Sequence, residues 1–411
     1  MKRAITKTLR ASCIFLFIIF LCAFSLLPQI VRAQAVTATI TGLNEPFSVA
    51  LTPNGQYAYV TNGGSGSVSV ISTATNKVTS KITGENSPFA VAITPNGEYA
   101  YVTNGGSSSV SVISTATDKV TATVTVGNGP FGIAITPNGE FAYVTNFGSD
   151  SVSVINTTSN TVTAAITVGG TPQSVAITPN GEYAYVTNFG SGSVSVINTA
   201  TNTVKATVTV GSGPYGVAVT PQGEFAYVTN SGSGSVSVIN MANNTVTATI
   251  RVGSEPFDVA ITPDGAYAYV TNDGSDNVSV ISTALNTVTA TVTVGCGPYG
   301  VAVTPNCAYA YVVNFNSATV SVINVLPAVN VSPSPSTSAS TSATPTTLTQ
   351  SPTTTSAIIS GEFGNSETDS NLSFYQQHSV AIAITTALAI ALVIAVITRV
   401  KTRDQPGDGP S

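Results

Sequence analysis

Residues 130–171 read PFGIAITPNGEFAYVTNFGSDSVSVINTTSNTVTAAITVGGT, and the chain carries seven copies of this 42-residue unit. The tetrapeptide Tyr-Val-Thr-Asn recurs in phase, and its copies begin at Tyr59, Tyr101, Tyr143, Tyr185, Tyr227 and Tyr269, with a seventh copy, Tyr-Val-Val-Asn, at Tyr311. No insertion or deletion interrupts the period. Each unit is therefore expected to occupy an equivalent place in one repetitive assembly.

Each unit is predicted to form four short strands. In the quoted copy the β-rich runs span residues 131–136, 140–146, 152–156 and 161–168. Pro137 and Gly139 suit a type I turn between the first two runs. Val, Ile, Thr and Tyr dominate the runs, and no stretch shows the 3.6-residue period of a helix. This pattern predicts an all-β antiparallel meander.

Both faces of the predicted sheet carry apolar or small side chains, so the sheet is expected to be covered on both sides. A repeat of about 40 to 45 residues is typical of one four-stranded blade of a β-propeller. The first strand would line the central axis, where small residues let neighbouring sheets approach closely. These residues are Ala134, Ala176, Ala218 and Ala260.

The two ends of the repeat region favour a closed ring over an open solenoid. Residues 36–40 match the fourth strand of a repeat, whereas the seventh repeat supplies only three strands, residues 299–304, 308–314 and 319–325. The N-terminal strand would complete the last blade and leave no exposed sheet edge, whereas an open stack would need polar caps. The predicted fold is an all-β, seven-bladed β-propeller of four-stranded antiparallel blades, closed by the N-terminal strand and followed by a C-terminal transmembrane helix.

The repeats resemble the YVTN family of WD40-like β-propeller repeats, known from surface-layer-type and cell-surface proteins of archaea and bacteria. The resemblance covers residues 36–325, about 70% of the chain. It implies a propeller displayed outside the cell, and it carries over no catalytic residues. Two positions depart from the pattern, since Val313 replaces the signature Thr and Cys307 replaces the turn Gly. We expect the closing blade to be locally strained or looser.

The N-terminal residues 1–35 read as a secretory signal peptide. Lys2, Arg3, Lys7 and Arg10 precede an apolar run over residues 13–27, and a small-x-small site predicts cleavage after Ala35. The alternative is an uncleaved anchor helix.

The residues after the propeller predict a surface anchor. Residues 326–378 form a Ser/Thr/Pro-rich segment that is expected to be a disordered stalk. Residues 379–398 are predicted to form a transmembrane helix, and the basic residues 399–403 place a short cytoplasmic tail, residues 399–411, inside. The prediction is a single-pass membrane protein at the cell surface. A processed sorting signal is the alternative.

Composition restricts the chemistry of the propeller. Residues 36–325 contain no His and no Trp, and they carry 5 Lys and Arg against 13 Asp and Glu, a net charge of −8. An acidic surface argues against nucleic-acid binding. The lack of His excludes His-based triads and His-ligated metals. We expect no catalytic residue, no cofactor and no metal site.

The sixth repeat concentrates acidic residues. Asp273 and Asp276 lie in the loop between its second and third strands, where oxygen ligands could hold calcium. The spacing matches no standard calcium loop, and Asp264 is expected at the opposite face from Asp273. A solvated acidic patch is the favoured interpretation.

The loops differ between repeats in a way that indicates a contact surface. The turns near Pro137 barely change, whereas the residue after the signature Asn varies and is Phe147, Phe189 or Phe315 in three repeats. These loops should share one face with the loops before each first strand, and varied loops on a constant scaffold mark a candidate binding face. Asp273 and Asp276 belong to this face. The alternative is that each Phe caps its own blade.

The remaining predictions concern modification. Cys296 and Cys307 should lie at opposite ends of a strand, too far apart for a disulfide, so they are predicted to be free or bonded to another chain. Candidate N-glycosylation sites are Asn156, Asn243, Asn277, Asn330 and Asn371.

The expected function is that of a non-enzymatic, membrane-anchored cell-surface propeller serving envelope structure, adhesion or binding of an extracellular protein or glycan. The alternative is a propeller enzyme, a lactonase-like hydrolase, or a small-molecule binder acting at the propeller axis. The predicted axial strands repeat Val-Ala-Ile-Thr almost unchanged, whereas such a site needs unlike residues from different blades. We therefore expect the chain not to be an enzyme.

Overall fold

The computed structural model of the protein describes residues 34–325. The predicted signal peptide up to residue 33, the stalk, the transmembrane helix and the tail lie outside these residues, as do Asn330 and Asn371. Within residues 34–325, the structure contains no helix that is long and apolar enough to cross a membrane.

The described residues form 28 strands in seven four-stranded antiparallel sheets, which confirms the predicted propeller. Blade 1 consists of β2 (Pro46–Leu51), β3 (Tyr57–Asn62), β4 (Ser67–Ser72) and β5 (Lys77–Thr83). Blade 2 consists of β6 (Pro88–Ile93), β7 (Tyr99–Asn104), β8 (Ser109–Ser114) and β9 (Lys119–Thr125). Blade 3 consists of β10 (Pro130–Ile135), β11 (Phe141–Asn146), β12 (Ser151–Asn156) and β13 (Thr161–Thr167).

The later blades repeat this order. Blade 4 consists of β14 (Pro172–Ile177), β15 (Tyr183–Asn188), β16 (Ser193–Asn198) and β17 (Thr203–Thr209). Blade 5 consists of β18 (Pro214–Val219), β19 (Phe225–Asn230), β20 (Ser235–Asn240) and β21 (Thr245–Arg251). Blade 6 consists of β22 (Pro256–Ile261), β23 (Tyr267–Asn272), β24 (Asn277–Ser282) and β25 (Thr287–Thr293). Blade 7 consists of β26 (Pro298–Val303), β27 (Tyr309–Asn314), β28 (Thr319–Asn324) and the N-terminal strand β1 (Val36–Ile40).

Short helices occur only as single 3-10 turns in the described part of the chain, after the second strand of blades 1, 4, 5 and 6. They are Gly63–Ser65, Phe189–Ser191, Ser231–Ser233 and Asp273–Ser275.

The ring closes as the sequence predicted. Strand β1 pairs antiparallel with β28, with Val36 opposite Ile323 and Ile40 opposite Val320. The backbone N–H of Ala35 donates to Asn324 Oδ1 at 2.8 Å, which extends the pairing past the strand end. Inner strand β2 lies beside β26 as well as β6, so the inner strands surround a common axis.

The hydrophobic core lies between blades rather than within one blade. Tyr59, Val70 and Ile82 of blade 1, for example, share one buried cluster with Val91 and Val102 of blade 2. The same arrangement recurs around the ring, because each sheet has one face toward each neighbour. The small axial residues predicted from the sequence pack at the edges of these clusters, as Ala134, Ala176, Ala218 and Ala260.

Two side chains of the signature, the Tyr and the Thr, form hydrogen bonds between neighbouring blades. Tyr143 of blade 3 donates its hydroxyl to Asn202 Oδ1 of blade 4 at 2.8 Å. Thr145 donates to the carbonyl of Gln173, also in blade 4, at 2.6 Å, and accepts a hydrogen bond from Gly132 N in its own blade at 2.8 Å. Equivalent Tyr bonds recur in blades 1, 2, 4, 5 and 7, and equivalent Thr bonds in blades 1, 2, 4, 5 and 6.

The two faces of the disc are built differently. On one face, which we call the turn face, Gly139 N donates to Thr136 O at 2.8 Å and Gly139 has a φ of +76°. On the other face, which we call the loop face, the loop before each inner strand bonds the loop after the second strand, as in Phe147 N to Gly129 O at 2.9 Å. The predicted sharing of one face by these two loop sets is confirmed.

Candidate active site at the propeller axis

The residue after the first proline of each inner strand faces the axis at the loop face. In blade 3 the pairing of β10 with β11 is irregular between Pro130 and Ile133, which places Phe131 and Gly132 in a β-bulge. Bulges redirect side chains and recur beside active sites. All seven inner strands share this irregularity, and it positions Phe47, Phe89, Phe131, Gln173, Tyr215, Phe257 and Tyr299.

Six of these seven residues are aromatic, and their rings touch around the axis. The ring centroids of Tyr215 and Phe257 lie 3.8 Å apart, and those of Phe257 and Tyr299 are stacked at 4.1 Å with an interplanar angle of 4°. Phe47 contacts Tyr299 at 5.0 Å and Phe89 edge-on at 4.9 Å. We call this set the aromatic ring. Gln173 interrupts it between Phe131 and Tyr215.

The next residue of each inner strand is small except in blade 6, where it is Asp258. These residues are Ser48, Ala90, Gly132, Ser174, Gly216, Asp258 and Gly300. A Cβ on Gly216 would lie 2.8 Å from both Asp258 Cα and the carbonyl oxygen of Phe257. Glycine at position 216 therefore lets blade 5 approach the segment that carries the carboxylate.

Asp258 is the one carboxylate among the residues that line the axial cavity. Its Oδ1 accepts from Val259 N at 2.8 Å and its Oδ2 from Val301 N of blade 7 at 3.1 Å. The side chain keeps partial access to the cavity. The surrounding protein nevertheless desolvates the carboxylate and raises its pKa to about 6, and the two backbone hydrogen bonds oppose this shift. A group with this pKa can exchange a proton near neutral pH.

The neighbouring tyrosines remain protonated. Burial raises the pKa of Tyr215 well above its usual value, and electrostatic interactions with Tyr299, Asp258 and Asp273 add to the effect. Burial and the charges of Asp273 and Glu255 also raise the pKa of Tyr299. Both phenols are therefore O–H donors throughout the physiological pH range.

The axial cavity has a volume of about 70 Å³ and is lined by all members of the aromatic ring except Tyr299, together with Gln173, Asp258 and the small residues at the next position of each inner strand. Larger depressions of about 500 and 740 Å³ lie between blades on the turn face. Those depressions are built from equivalent turn residues of adjacent blades, such as Asn180 and Gln222. Only the axial cavity, among these three, combines unlike residues from all seven blades, so we take it as the candidate site.

The predicted contact residues lie around this cavity. Phe315 contacts Tyr299 and Phe47 at 4.9 and 5.1 Å, Phe147 contacts Phe131 at 6.4 Å, and Phe189 contacts Tyr215 at 6.1 Å. Each Phe therefore packs against the aromatic ring, and two of them, Phe147 and Phe189, are 38% and 42% exposed.

The acidic residues of blade 6 lie on opposite faces of the disc, as the sequence indicated. Burial raises the pKa of Asp273, and the charges of Glu255 and Asp276 contribute. Asp276 also accepts a hydrogen bond from Gly297 N at 2.8 Å, which ties its loop to blade 7. Asp264 lies on the turn face, where it accepts from Thr262 and from Ala266 N. Residues 34–325 contain no group of three or more His, Cys, Asp or Glu that could hold a metal ion.

The cysteines and three of the glycosylation candidates lie within the described residues. Cys296 and Cys307 are free and lie on either side of β26, which confirms the predicted separation. Asn243 is exposed, whereas Asn156 and Asn277 are half-buried, and Asn277 accepts from Asn272 Nδ2 at 2.8 Å. Their use for glycosylation stays a prediction.

Sequence reasoning missed the aromatic ring, Gln173 and the role of Asp258. The signal was present, because six of the seven residues that follow the first proline of each repeat are Phe or Tyr. The Val-Ala-Ile-Thr part of each inner strand is uniform, whereas the functional variation lies at the two preceding positions. Because those two positions differ between blades, the inner strands do bring unlike residues to the axis.

Fold and site together define a seven-bladed propeller with a small-molecule cavity on its axis. The family model described as Lactonase, 7-bladed beta-propeller matches residues 22–126, 114–212 and 200–289. These segments together cover more than half of the chain, and the protein belongs to this family. No curated protein matches the sequence.

Among solved structures, the chain is similar to Kuenenia stuttgartiensis Hydrazine Synthase. The two are 26% identical with a TM-score of 0.64, and the match covers 69% of this chain and 97% of that chain. It is one of 1638 matching chains, so the likeness identifies a widespread fold rather than one activity.

Membership of the lactonase family corrects one expectation. The prediction that the protein is not an enzyme was wrong, because the family that the chain matches is named for an enzymatic activity. The residues explain the error, since residues 36–325 lack His and the signature residues are structural, whereas Asp258 and the aromatic ring lie at positions outside the signature.

Proposed function

We propose that the protein is a hydrolase that opens lactone rings in the axial cavity. The observation that carries this proposal is the position of Asp258, a carboxylate of raised pKa that faces a cavity lined with aromatic side chains. Membership of the lactonase family supports the same reaction class.

In the proposed reaction Asp258 acts as the general base. It accepts a proton from a water molecule as the water oxygen attacks the lactone carbonyl carbon, and the resulting tetrahedral intermediate carries the negative charge on the former carbonyl oxygen. The ring C–O bond then breaks, the departing alkoxide takes the proton from Asp258, and a hydroxy acid is released. The two backbone N–H groups of Val259 and Val301 fix the carboxylate, and each of its oxygens keeps lone-pair capacity for the water.

Tyr215 is suited to stabilise the developing charge. Its hydroxyl stays protonated because burial raises its pKa, and it belongs to the wall of the same cavity as Asp258. A fixed O–H donor aimed at a developing oxyanion contributes strongly in a site that excludes water. Phe257 and Phe131 provide the apolar surroundings.

The test measures hydrolysis of a panel of γ- and δ-lactones by the full-length protein with a pH-stat. Asp258→Asn is expected to lower kcat by about 100-fold or more, the usual contribution of a general base. The rate should increase with pH and level off above about 6, because only the ionised carboxylate accepts a proton.

The matched control is Asp264→Asn on the turn face, where Asn138 and Asn180 occupy the equivalent position in other blades. This variant should keep kcat within about twofold, since it leaves the cavity untouched. Hydrolysis that proceeds equally well in Asp258→Asn, or a rate independent of pH, would contradict the assignment.

The location of the activity is a second part of the proposal. We propose that the propeller acts outside the cell, anchored by residues 379–398. The signal-like residues 1–35 and the basic residues that follow the apolar segment support this topology. Protease added to intact cells should then cleave the propeller and spare a tag on the tail, whereas a protected propeller would refute it.

A further inference from the structure

A second cavity lies on the turn face, between blades 2 and 3. Its volume is about 500 Å³, and the residues that line it include Glu98, Tyr99 and Tyr101 of blade 2 and Thr158 and Asn160 of blade 3. This volume lies within the roughly 300 to 1,000 Å³ of most small-molecule sites. The cavity shares no residue with the axial cavity, and we call it the blade 2–3 groove.

Tyr99 presents an open aromatic ring at this groove. The residue is 38% exposed, and among residues 34–325 no other aromatic ring and no cationic group lies against its own ring. Tyr101 follows two positions later on the same side of β7, and its hydroxyl donates to Asn160 Oδ1 of blade 3 at 2.8 Å. The open ring therefore stands beside a fixed junction of two blades.

Glu98 and Asn160 each keep unused hydrogen-bonding capacity. Asn96 Nδ2 donates to Glu98 Oε2 at 2.9 Å, whereas Glu98 Oε1 has no hydrogen-bond partner among the described residues. Asn160 accepts from Tyr101 through Oδ1, and its Nδ2 has no acceptor within residues 34–325. One charged acceptor and one amide donor thus line the same groove as Tyr99.

This combination occurs in one of the seven described blades. Equivalent to Tyr99 are Tyr57, Phe141, Tyr183, Phe225, Tyr267 and Tyr309, and equivalent to Glu98 are Gln56, Glu140, Glu182, Glu224, Ala266 and Ala308. Blades 3 and 5 therefore lack the phenol, and blades 1, 6 and 7 lack the carboxylate. In blade 4 the ring is already occupied, since Lys205 Nζ lies 4.5 Å from the centroid of Tyr183 and donates to its hydroxyl at 2.6 Å.

We propose that the blade 2–3 groove binds a neutral carbohydrate, with a pyranose ring packed on Tyr99 and sugar hydroxyls bonded by Glu98 and Asn160. An aromatic face is negative, so it attracts the polarised C–H groups on the apolar face of a pyranose and covers them from water. A sugar hydroxyl donates and accepts at once, which suits a carboxylate oxygen beside an amide N–H. Acidic sugars are disfavoured, because Glu98 repels them and no Lys or Arg lines the groove.

The experiment probes the full-length protein on an array of neutral oligosaccharides of glucose, galactose, mannose and N-acetylglucosamine, printed beside oligomers of glucuronic and galacturonic acid. We expect retention on neutral members and none on the acidic ones. Titration calorimetry with the best-retained neutral trisaccharide then gives the Kd. Tyr99→Ala should weaken binding about tenfold or more through loss of the ring, and Glu98→Gln about tenfold through loss of the charged acceptor.

The matched control is Tyr309→Ala in blade 7. Tyr309 is 41% exposed at the position equivalent to Tyr99, but Ala308 stands in place of the carboxylate. This variant should leave the Kd within about twofold. Glu98→Gln changes an exposed side chain and keeps the test decisive even where Tyr99→Ala unfolds, which thermal unfolding reveals.

Every other result overturns the inference. Absence of binding to any neutral sugar, or retention on the acidic oligomers alone, would exclude a neutral carbohydrate as the ligand. Unchanged affinity in Glu98→Gln, or an equal loss in Tyr309→Ala, would place sugar binding elsewhere on the protein. The site is independent of the proposed hydrolase activity, so Glu98→Gln should hydrolyse lactones as the unmodified protein does, and a failure of either proposal leaves the other standing.

Discussion

Each residue of the Tyr-Val-Thr-Asn signature has a separate structural task. In blade 3, Tyr143 bonds the next blade through its hydroxyl, Val144 is fully buried, and Thr145 joins its own inner strand to that of blade 4. Asn146 donates to Ser151 and Ser153 at 3.2 and 3.0 Å and so fixes the loop that follows. These tasks recur around the ring, except that Val313 replaces the Thr in blade 7, which explains the repetition and also why the signature says nothing about the reaction.

The turn residue of blade 7 is a single-residue source of strain. Six blades place Gly at this position with φ between +69° and +76°, whereas Cys307 adopts a φ of +55° there. A non-glycine residue in the left-handed region costs about 1 kcal/mol. Cys307→Gly should therefore raise the free energy of unfolding by about 1 kcal/mol, measured by urea denaturation.

The control for this prediction is the reverse change in another blade. Gly139→Cys places the same side chain on a backbone with a φ of +76° and should lower the free energy of unfolding by a similar amount. If Cys307→Gly were neutral while Gly139→Cys was destabilising, relaxation around Cys307 would have removed the strain and the prediction would be wrong.

The junctions between strands of neighbouring blades are alike except at one place. Thr187 accepts from Ser174 N at 2.9 Å and donates to Tyr215 O at 2.6 Å, so one hydroxyl connects three backbone segments. At the junction of blades 7 and 1 the equivalent residue is Val313, which is fully buried and has no hydroxyl to form these bonds. This junction is held by apolar packing and by the bond from Tyr311 to Asn76.

Exchanging these two side chains tests the value of the hydroxyl. Thr187→Val should lower the free energy of unfolding by about 1 to 3 kcal/mol, because it leaves buried backbone groups without their partner. Val313→Thr should raise the free energy of unfolding by about 0.5 to 1.5 kcal/mol, since the new hydroxyl can accept from a backbone N–H and donate to a backbone carbonyl, as that of Thr187 does. Thermal and urea unfolding measure both, and a destabilising Val313→Thr would show that the junction geometry differs from the other six.

Strand order and ring closure could be predicted from the sequence because they depend on local signals. Turn residues such as Pro137 and Gly139 and a period-two pattern mark strand ends to within one residue, as for residues 131–136 against the observed Pro130–Ile135. The bulge at Phe131 depends on pairing with β11, and the environment of Asp258 depends on Val301 of the next blade. Such contacts between segments leave no local pattern, so the recurring Phe and Tyr could indicate the position of the site but not the bulge or the burial of Asp258.

Every described blade has its full four strands, and one contact joins the two ends of the repeat region. Each buried cluster belongs to two blades, so every blade is stabilised by both neighbours. The cluster at the closure contains Ile40 of the N-terminal strand together with Val320 and Tyr311 of blade 7 and Val60 of blade 1. Ile40 thus contributes to a junction that joins the two ends of the repeat region.

This arrangement predicts that equivalent residues in β1 and β5 contribute differently to closure of the ring. Ile40 and Ile82 are equivalent, with exposures of 4% and 5%, but Ile82 lies in a blade whose four strands follow one another in the chain. Ile40→Asp should detach β1, open the ring and expose the edge of β28, because the strand is held by its pairing with β28 and by apolar packing in which Ile40 is the most buried residue. Ile82→Asp should loosen one outer strand and leave the ring closed.

Hydrogen exchange of the β28 amides should therefore accelerate strongly in Ile40→Asp and little in Ile82→Asp, and an added peptide of residues 34–42 should restore protection only in the first. An exposed edge also promotes association, so Ile40→Asp should form dimers in size-exclusion chromatography with light scattering. Equal protection of β28 in both variants would mean that the ring does not depend on its N-terminal strand.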